Sequence, residues 1–339
     1  MNDAPLLVSV ENLSTHFFSK EGTVKAIDGV SFDVRRGESL GIAGESGCGK
    51  SVTAQSILRI VPRNGRIVNG RITLHRADGD LDLTTLDPTG PEIRSIRGKE
   101  ISMIFQEPMT SFSPVHSIGN QIIEVIRLHQ NVDAKEGRNR AVEMLRAVGM
   151  PKPEQTIDAY SFALSGGQRQ RAMIAMALAC NPSLLIADEP TTAVDVTIQA
   201  QVLDLVKDLQ TRMTMAMIII THDLAVIAEV CERVVIMYLG HDVERGTVEE
   251  VFEKPLHPYT EGLLNSVPRL GEGSTQKIDA VRGVVPSVYE LPAGCPFHPR
   301  CKYAIDGVCD RISPPRVEVS PGRHVMCHLY GDGTGEKEE

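Results

Sequence analysis

Apolar residues in this chain gather into short runs, each closed by glycine, proline or charged residues. In the first third, Leu7–Leu13, Val30–Val34 and Leu40–Ala43 are rich in aliphatic and β-branched side chains and predict strands. Ile101–Phe105, Leu184–Ala187 and Ala216–Ile220 are apolar along nearly their whole length, the pattern of a parallel sheet covered on both faces. Between Gln106 and Ser165 the period lengthens. Ile118–Leu128 and Arg138–Val148 show helical spacing around a polar stretch, Asn131–Gly137, and predict a helical insertion. Val52–Ile60 suits a helix stopped before Pro62, and Gln168–Cys180 one stopped by Asn181 and Pro182. After Arg233, the run from Val234 to Gly246 predicts a hairpin and Val248–Glu253 a short helix before Pro255. From there the chain turns rich in Pro, Gly and Cys through Gly322, and the polar tail 331–339 is expected to be disordered. No internal repeat or sustained heptad is visible.

At 339 residues the chain has room for one large domain and an appendage. Its 35 Lys and Arg against 44 Asp and Glu give a net charge of −9, without the basic stripe that a duplex-binding surface uses, so nucleic acid is not an expected partner. The longest apolar stretches, Ala172–Cys180 and Ala216–Ile220, fall far short of the roughly 20 residues that cross a bilayer. The opening segment has an acid and a proline where a secretory signal carries basic residues and a long apolar core. A soluble or peripheral protein that stays inside the cell is expected.

Three segments carry chemistry. Gly44-Glu45-Ser46-Gly47-Cys48-Gly49-Lys50-Ser51, followed by Val52, fits G-x-x-x-x-G-K-S between a predicted strand and a predicted helix. Its glycines let successive amides face phosphates, Lys50 brings a cation to the β and γ oxygens, and Ser51 offers a hydroxyl to Mg²⁺. Leu184–Ala187 runs into Asp188 and Glu189, one carboxylate suited to the water shell of Mg²⁺ and the other to polarising an attacking water. Ser165, Gly166 and Gly167 precede a helix, where free amides and a hydroxyl make a second anion site.

Leu164-Ser165-Gly166-Gly167-Gln168 resembles the signature of the ABC (ATP-binding cassette) ATPases, and the order Lys50, Gln106, Ser165, Asp188, Asp195, His222 is similar to theirs over about Leu6 to Pro255. The resemblance implies an α/β P-loop NTPase core over 6–255 with an N-terminal antiparallel β-subdomain and a helical subdomain inserted at about 107–180. It implies further roles: Gln106 as the Q-loop glutamine touching Mg²⁺ and the lytic water, His222 as the switch histidine on the γ-phosphate, and Asp195 as the D-loop aspartate acting across a dimer. Phe17 is the aromatic expected to stack on adenine, with Phe18 the alternative. In that family Ser165 to Gln168 serve the ATP held by a partner cassette.

Outside those motifs the chain is similar to the ATP-binding subunits of dipeptide and oligopeptide permeases, on Gln106–Ser111, Met173–Thr192 and His257–Leu264. That branch implies a second, paralogous ATPase subunit, two transmembrane permease subunits, an extracytoplasmic substrate-binding protein, and a peripheral place on the cytoplasmic face of the inner membrane. Nickel and glutathione importers share the architecture. Phe112 stands where the family pattern usually has Leu, in the region expected to dock a permease. The extension 256–330 carries Cys295-x5-Cys301-x7-Cys309-x17-Cys327. Four thiolates suit a 4Fe–4S cluster or a zinc ion, spare thiols being the remaining reading, and the resemblance implies the cluster. A soluble ABC ATPase of translation or DNA repair, and an ATP-using cluster-assembly or redox protein, are the competing readings. The first typically carries two cassettes in one chain or a long coiled coil between motifs, and this chain shows neither; the second runs against the peptide-branch segments.

Overall fold

The computed structural model describes residues 4–106, 112–190, 196–266, 281 and 283–331. The chain opens with β1 (Leu6–Ser19) and β2 (Gly22–Arg35), joined by a two-residue turn that sets them antiparallel. Both run well beyond the apolar stretches that predict them, because cross-strand pairing carries the polar ends. β3 (Ser39–Ala43) leads through the glycine loop into α1 (Lys50–Ile57), and β4 (Gly65–Arg76), β5 (Gly79–Asp82) and α2 (Pro91–Ile96) follow. β6 (Ile101–Ile104) ends one residue before the predicted strand does, leaving Phe105 46% exposed. Then come α3 (Ile118–His129), α4 (Ala134–Ala147), α5 (Pro153–Thr156), α6 (Gly166–Leu178), β7 (Leu184–Asp188), α7 (Val196–Met213), β8 (Ala216–Thr221) and α8 (Leu224–Val230). The described chain closes with β9 (Arg233–Tyr238), β10 (His241–Thr247), α9 (Val248–Glu253), α10 (Pro258–Asn265), β11 (Arg316–Ser320) and β12 (Arg323–Met326).

Two compact units share these elements. The first consists of Met1–Val8, Val34–Ser39 and Leu74–Ile220. In it β6, β7 and β8 lie side by side and parallel, Ile101 opposite Leu184 and Leu184 opposite Ala216. Every residue of β7 and β8 is buried, as their uninterrupted apolar runs require. The same unit holds the helical insertion, in which α4 packs on α3 and α6. Here α4 starts four residues earlier than its apolar spacing predicts. Asp133 caps it, its carboxylate accepting from the Glu136 amide at 2.8 Å, so the polar segment before Arg138 is helix rather than linker. α7 has no counterpart among the predicted elements, although Val202, Leu203, Val206 and Leu209 recur at helical spacing and are buried. Phe112 is 4% exposed, so its ring faces the interior and not the surface where a permease-docking residue was expected.

The second unit consists of Ser9–Asp33, Leu40–Thr73 and Thr221–Glu339. β3 pairs parallel with β9, and β9 turns back into β10 through Leu239 and Gly240, both at positive φ, the turn a tight hairpin favours. β10 then pairs antiparallel with β12, and β12 with β11. The cysteine-rich extension therefore builds onto an edge of this sheet, around a small core of Leu256, Val325, Cys327 and Tyr330. Its strands are too polar and short (Arg316–Ser320, Arg323–Met326) to stand out in the sequence. α1 stops at Ile57, short of the predicted Ile60, because Arg59 takes a left-handed turn at φ 56°.

Candidate functional site

In the second unit, β3 is buried throughout and delivers the chain to Gly44. Gly44 sits at φ 153° against the Met237 carbonyl, and Gly49 at φ 104° against the Ala26 carbonyl; a Cβ at either would collide with backbone. The spacing of these glycines is thus a packing requirement as well as a conformational one. Lys50 opens α1 and its buried side chain folds back across the loop, Nζ donating to the carbonyls of Gly44 at 2.7 Å and Glu45 at 3.0 Å. Ser46 and Gly47 are exposed at the loop's crest, Ser51 and Val52 are half-buried on α1, and Cys48 is buried, which raises its thiol pKa. The result is a ring of main chain around an ammonium group at a helix start, a receptor for phosphate.

In the first unit, β7 ends in the buried carboxylate of Asp188 and continues to Glu189, held at φ 45°. A non-glycine residue in that region is strained, and such strain concentrates where a side chain must be aimed. The Glu189 amide donates to the Ile220 carbonyl at 2.8 Å, which fixes the turn. Gln106, two residues past the end of β6, donates from Nε2 to Glu189 Oε2 at 2.8 Å. Two side chains 83 positions apart in sequence thus meet at the carboxyl ends of neighbouring parallel strands.

The signature segment lies in the same unit. Ser165 caps α6, its hydroxyl accepting from the Gln168 amide at 3.3 Å while the Gln168 side chain accepts from the Ser165 amide at 3.0 Å. Leu164 is buried, Ser165 and Gly166 are exposed, and Gly167 is half-buried, so the polar start of the helix faces outward. Sequence reasoning missed Gln170, which is fully buried and donates from Nε2 to the Pro190 carbonyl, tying the signature helix to the residue after Glu189. Its spacing to Met173, Ile174 and Ala177, which places it on the apolar face, was the available signal.

Of the remaining residues, His222 follows β8 and is exposed, next to Asp223, whose carboxylate caps α8. Phe17 is half-buried against Gly65, and it shares a strand face with Thr15, whose hydroxyl meets that of Ser56 on α1 at 2.9 Å. Phe18 points the other way, 36% exposed, with Arg66 stacked 4.3 Å from its ring centre. Asp195 and residues 107–111 lie outside the described residues.

In the extension no disulfide joins any cysteine. Cys295, Cys301, Cys309 and Cys327 line one small enclosed cavity together with His257, Phe297 and His328. Burial pushes the thiol of Cys295 up to about 11 and that of Cys327 up to about 12. A bound cation would reverse that preference by deprotonating them. As a donor set, four thiols opening onto one cavity fit an iron–sulfur group. Among the described residues, however, no three His, Cys, Asp or Glu side chains are grouped so as to hold a single metal ion. The extension also supplies two partners to the phosphate loop that no motif signals: Arg300, which pairs with the Glu45 carboxylate, and Tyr259, whose hydroxyl accepts from the Glu45 amide.

A glycine loop that wraps a lysine at a helix start, and a buried strand ending in two carboxylates with a glutamine on the second, define a P-loop nucleoside triphosphatase. The ABC transporter family profile matches residues 27–192, and that of the oligopeptide/dipeptide transporter C-terminal region matches 243–309. An oligopeptide transport ATP-binding protein of Bacillus subtilis is 50% identical over 98% of this chain and 99% of its own length. A probable peptide ABC transporter ATP-binding protein of Sinorhizobium fredii is 49% identical over 96% and 95%, and a dipeptide transport ATP-binding protein of Haemophilus influenzae 45% over 95% and 95%. Among solved structures, a dimeric ATP-binding cassette in a post-hydrolysis state with ADP and Pi superposes at a TM-score of 0.62 with 25% identity, over 71% of this chain and 99% of that one. The chain belongs to the ATP-binding proteins of peptide ABC transporters, enzymes that couple ATP hydrolysis to transport. No helix among the described residues is long and apolar enough to cross a membrane.

Proposed function

We propose that this chain energises an importer of di- or oligopeptides, pairing head to tail with a second, paralogous cassette on two permease subunits fed by a substrate-binding protein. It works at the cytoplasmic face of the inner membrane. The ATPase segment spans 6–255, with its helical subdomain at about 107–180, and the extension spans 256–330. MgATP binds with its phosphates in the loop Gly44–Ser51 and Val52 behind it. Lys50 moves from the loop carbonyls to the β and γ oxygens, and Phe17, on the face turned toward α1, stacks on adenine. Ser51, Gln106 and Asp188 serve Mg²⁺ and its water shell. Glu189 polarises the attacking water, with Gln106 aiming its carboxylate and His222 contacting the γ-phosphate. Ser165, Gly166, Gly167, Gln168 and Asp195 act on the nucleotide of the partner cassette.

The observation that supports this reading is the 2.8 Å bond from Gln106 to Glu189, where two polar side chains meet beyond the ends of neighbouring parallel strands. Peptide cargo follows from the match of residues 243–309 and from relatives alike over nearly their whole length; nickel or glutathione is the alternative cargo. In the extension, Cys295, Cys301, Cys309 and Cys327 are proposed to hold a 4Fe–4S cluster of structural role, a four-thiolate zinc being the alternative. The shared cavity supports this. When bound, such a group would crosslink the extension through four thiolates. The test is to pull the chain down from solubilised membranes, identify its companions, and measure ATPase activity of the reconstituted assembly. Two permease chains and stimulation by peptide-loaded binding protein are expected. A chain that hydrolyses ATP at full rate without membrane partners would overturn the importer reading.

A further inference from the structure

Glu45 is the second residue of the phosphate loop, and it is gripped from three sides. Its amide donates to the Tyr259 hydroxyl at 2.9 Å, and its carbonyl accepts from Lys50 Nζ. Its carboxylate takes both arms of the Arg300 guanidinium, Nη1 to Oε2 at 2.7 Å and Nη2 to Oε1 at 3.0 Å. The partners lie 255 positions apart in sequence. The Arg300 side chain is only 4% exposed and that of Glu45 27%, so the charged pair is largely withdrawn from water. An aromatic cluster holds the guanidinium. Its carbon lies 5.7 Å from the Tyr238 ring centre and 6.0 Å from that of Phe297, and Phe297 meets Tyr238 edge-on and Tyr259 at a tilt. Arg300 closes the short turn His298–Arg300 immediately before Cys301.

The placement has an electrostatic consequence. A carboxylate on a loop built to receive phosphate opposes that charge and competes for the lysine ammonium. A bidentate guanidinium cancels it and fixes the carboxylate in one orientation, which a lysine, with a single point charge, does less well. We propose that Arg300 is a positioning residue for the ATP reaction: through Glu45 it neutralises and braces the phosphate loop and so sets the affinity of the chain for MgATP. The proposal rests on the reading of Gly44–Ser51 as the phosphate loop.

The experiment measures equilibrium binding of MgATP to the full chain, with steady-state kcat and KM in the assembled transporter. R300Q is expected to weaken binding by about tenfold and to raise KM with kcat within about twofold, the mark of lost binding rather than lost chemistry. R300K should fall between, keeping the charge but losing one arm of the fork. E45Q/R300Q should recover to within about threefold of the parent, since it removes the stranded carboxylate and leaves two amides to pair. If R300Q does not fold, R300K and the double variant carry the test. Binding by R300Q within twofold of the parent overturns the proposal, as does a double variant no better than R300Q. K50A separates the two readings. If it binds MgATP normally, the phosphate-loop assignment fails; if it loses binding while R300Q does not, only the role of Arg300 fails.

Discussion

Gln106 and Glu189 meet at 2.8 Å, a side-chain amide on one parallel strand's end donating to a carboxylate on the next. The bond orients Glu189 at the price of little else, because the backbone of Glu189 is already turned to φ 45° by its amide's bond to Ile220. If Glu189 is the base proposed above, removing its charge while keeping its shape isolates the chemical step. Glu189→Gln is expected to lower steady-state hydrolysis by about 10²–10⁴-fold while MgATP binding stays within a few-fold of the parent. Rapid turnover by this variant in the assembled transporter would contradict the assignment.

The proposed role of Gln106 is to act through Glu189. Gln106→Ala removes one hydrogen bond to a charged acceptor, worth about 1.5–3 kcal/mol, and so should slow hydrolysis by roughly ten- to a hundredfold. Gln106→Glu places a second carboxylate against Glu189 and should be worse than alanine at neutral pH. The comparison of the two variants by ATPase assay checks that the contact aims Glu189 rather than merely filling space.

The parts of this site that are local in sequence are legible there, and the parts that are long-range are not. Gly44 and Gly49 announce themselves because only glycine fits beneath the Met237 and Ala26 carbonyls, and β7 because burial on both faces leaves no polar position before Asp188. The capping residues Ser165 and Gln168 are likewise a signal written within four residues. Arg300 gives no such sign. Nothing in Cys-Pro-Phe-His-Pro-Arg-Cys points to a residue 255 positions earlier, and only folding of the extension onto β10 brings the guanidinium to Glu45. β11 and β12 escape notice for a related reason: they are stabilised by pairing at a sheet edge, not by an apolar pattern of their own.

Glu244 on β10 anchors the chain as it enters the extension. It is buried, its two carboxylate oxygens accept from the amides of Leu256 at 2.8 Å and His257 at 2.9 Å, and Arg323 lies 3.5 Å away. Glu244→Leu would leave two buried amides without acceptors and take the counter-charge from Arg323, whose guanidinium keeps the carbonyls of Glu250 and Lys254. A loss of about 3–5 kcal/mol is expected, read as a fall in denaturant midpoint with little change in slope.

His257 gives the fold a dependence on pH with a defined sign. The imidazole is buried, and its Nδ1 accepts from the Tyr259 amide at 3.0 Å, capping α10. That bond requires an unprotonated Nδ1, and burial pushes the group down from 6.5 to about 3. Because the folded value lies below the unfolded one, the unfolded chain takes up the proton first. The stabilisation is complete above about pH 6.5 and is lost progressively as pH falls toward 3. His257→Asn keeps an acceptor for the Tyr259 amide and cannot titrate in this range. Its denaturation midpoint, measured from pH 7.5 to 5, should therefore fall less steeply than that of the parent, although the variant starts lower because the smaller side chain leaves space beside Phe297 and Tyr259. Parallel curves for the two proteins would show that His257 does not carry the acid sensitivity.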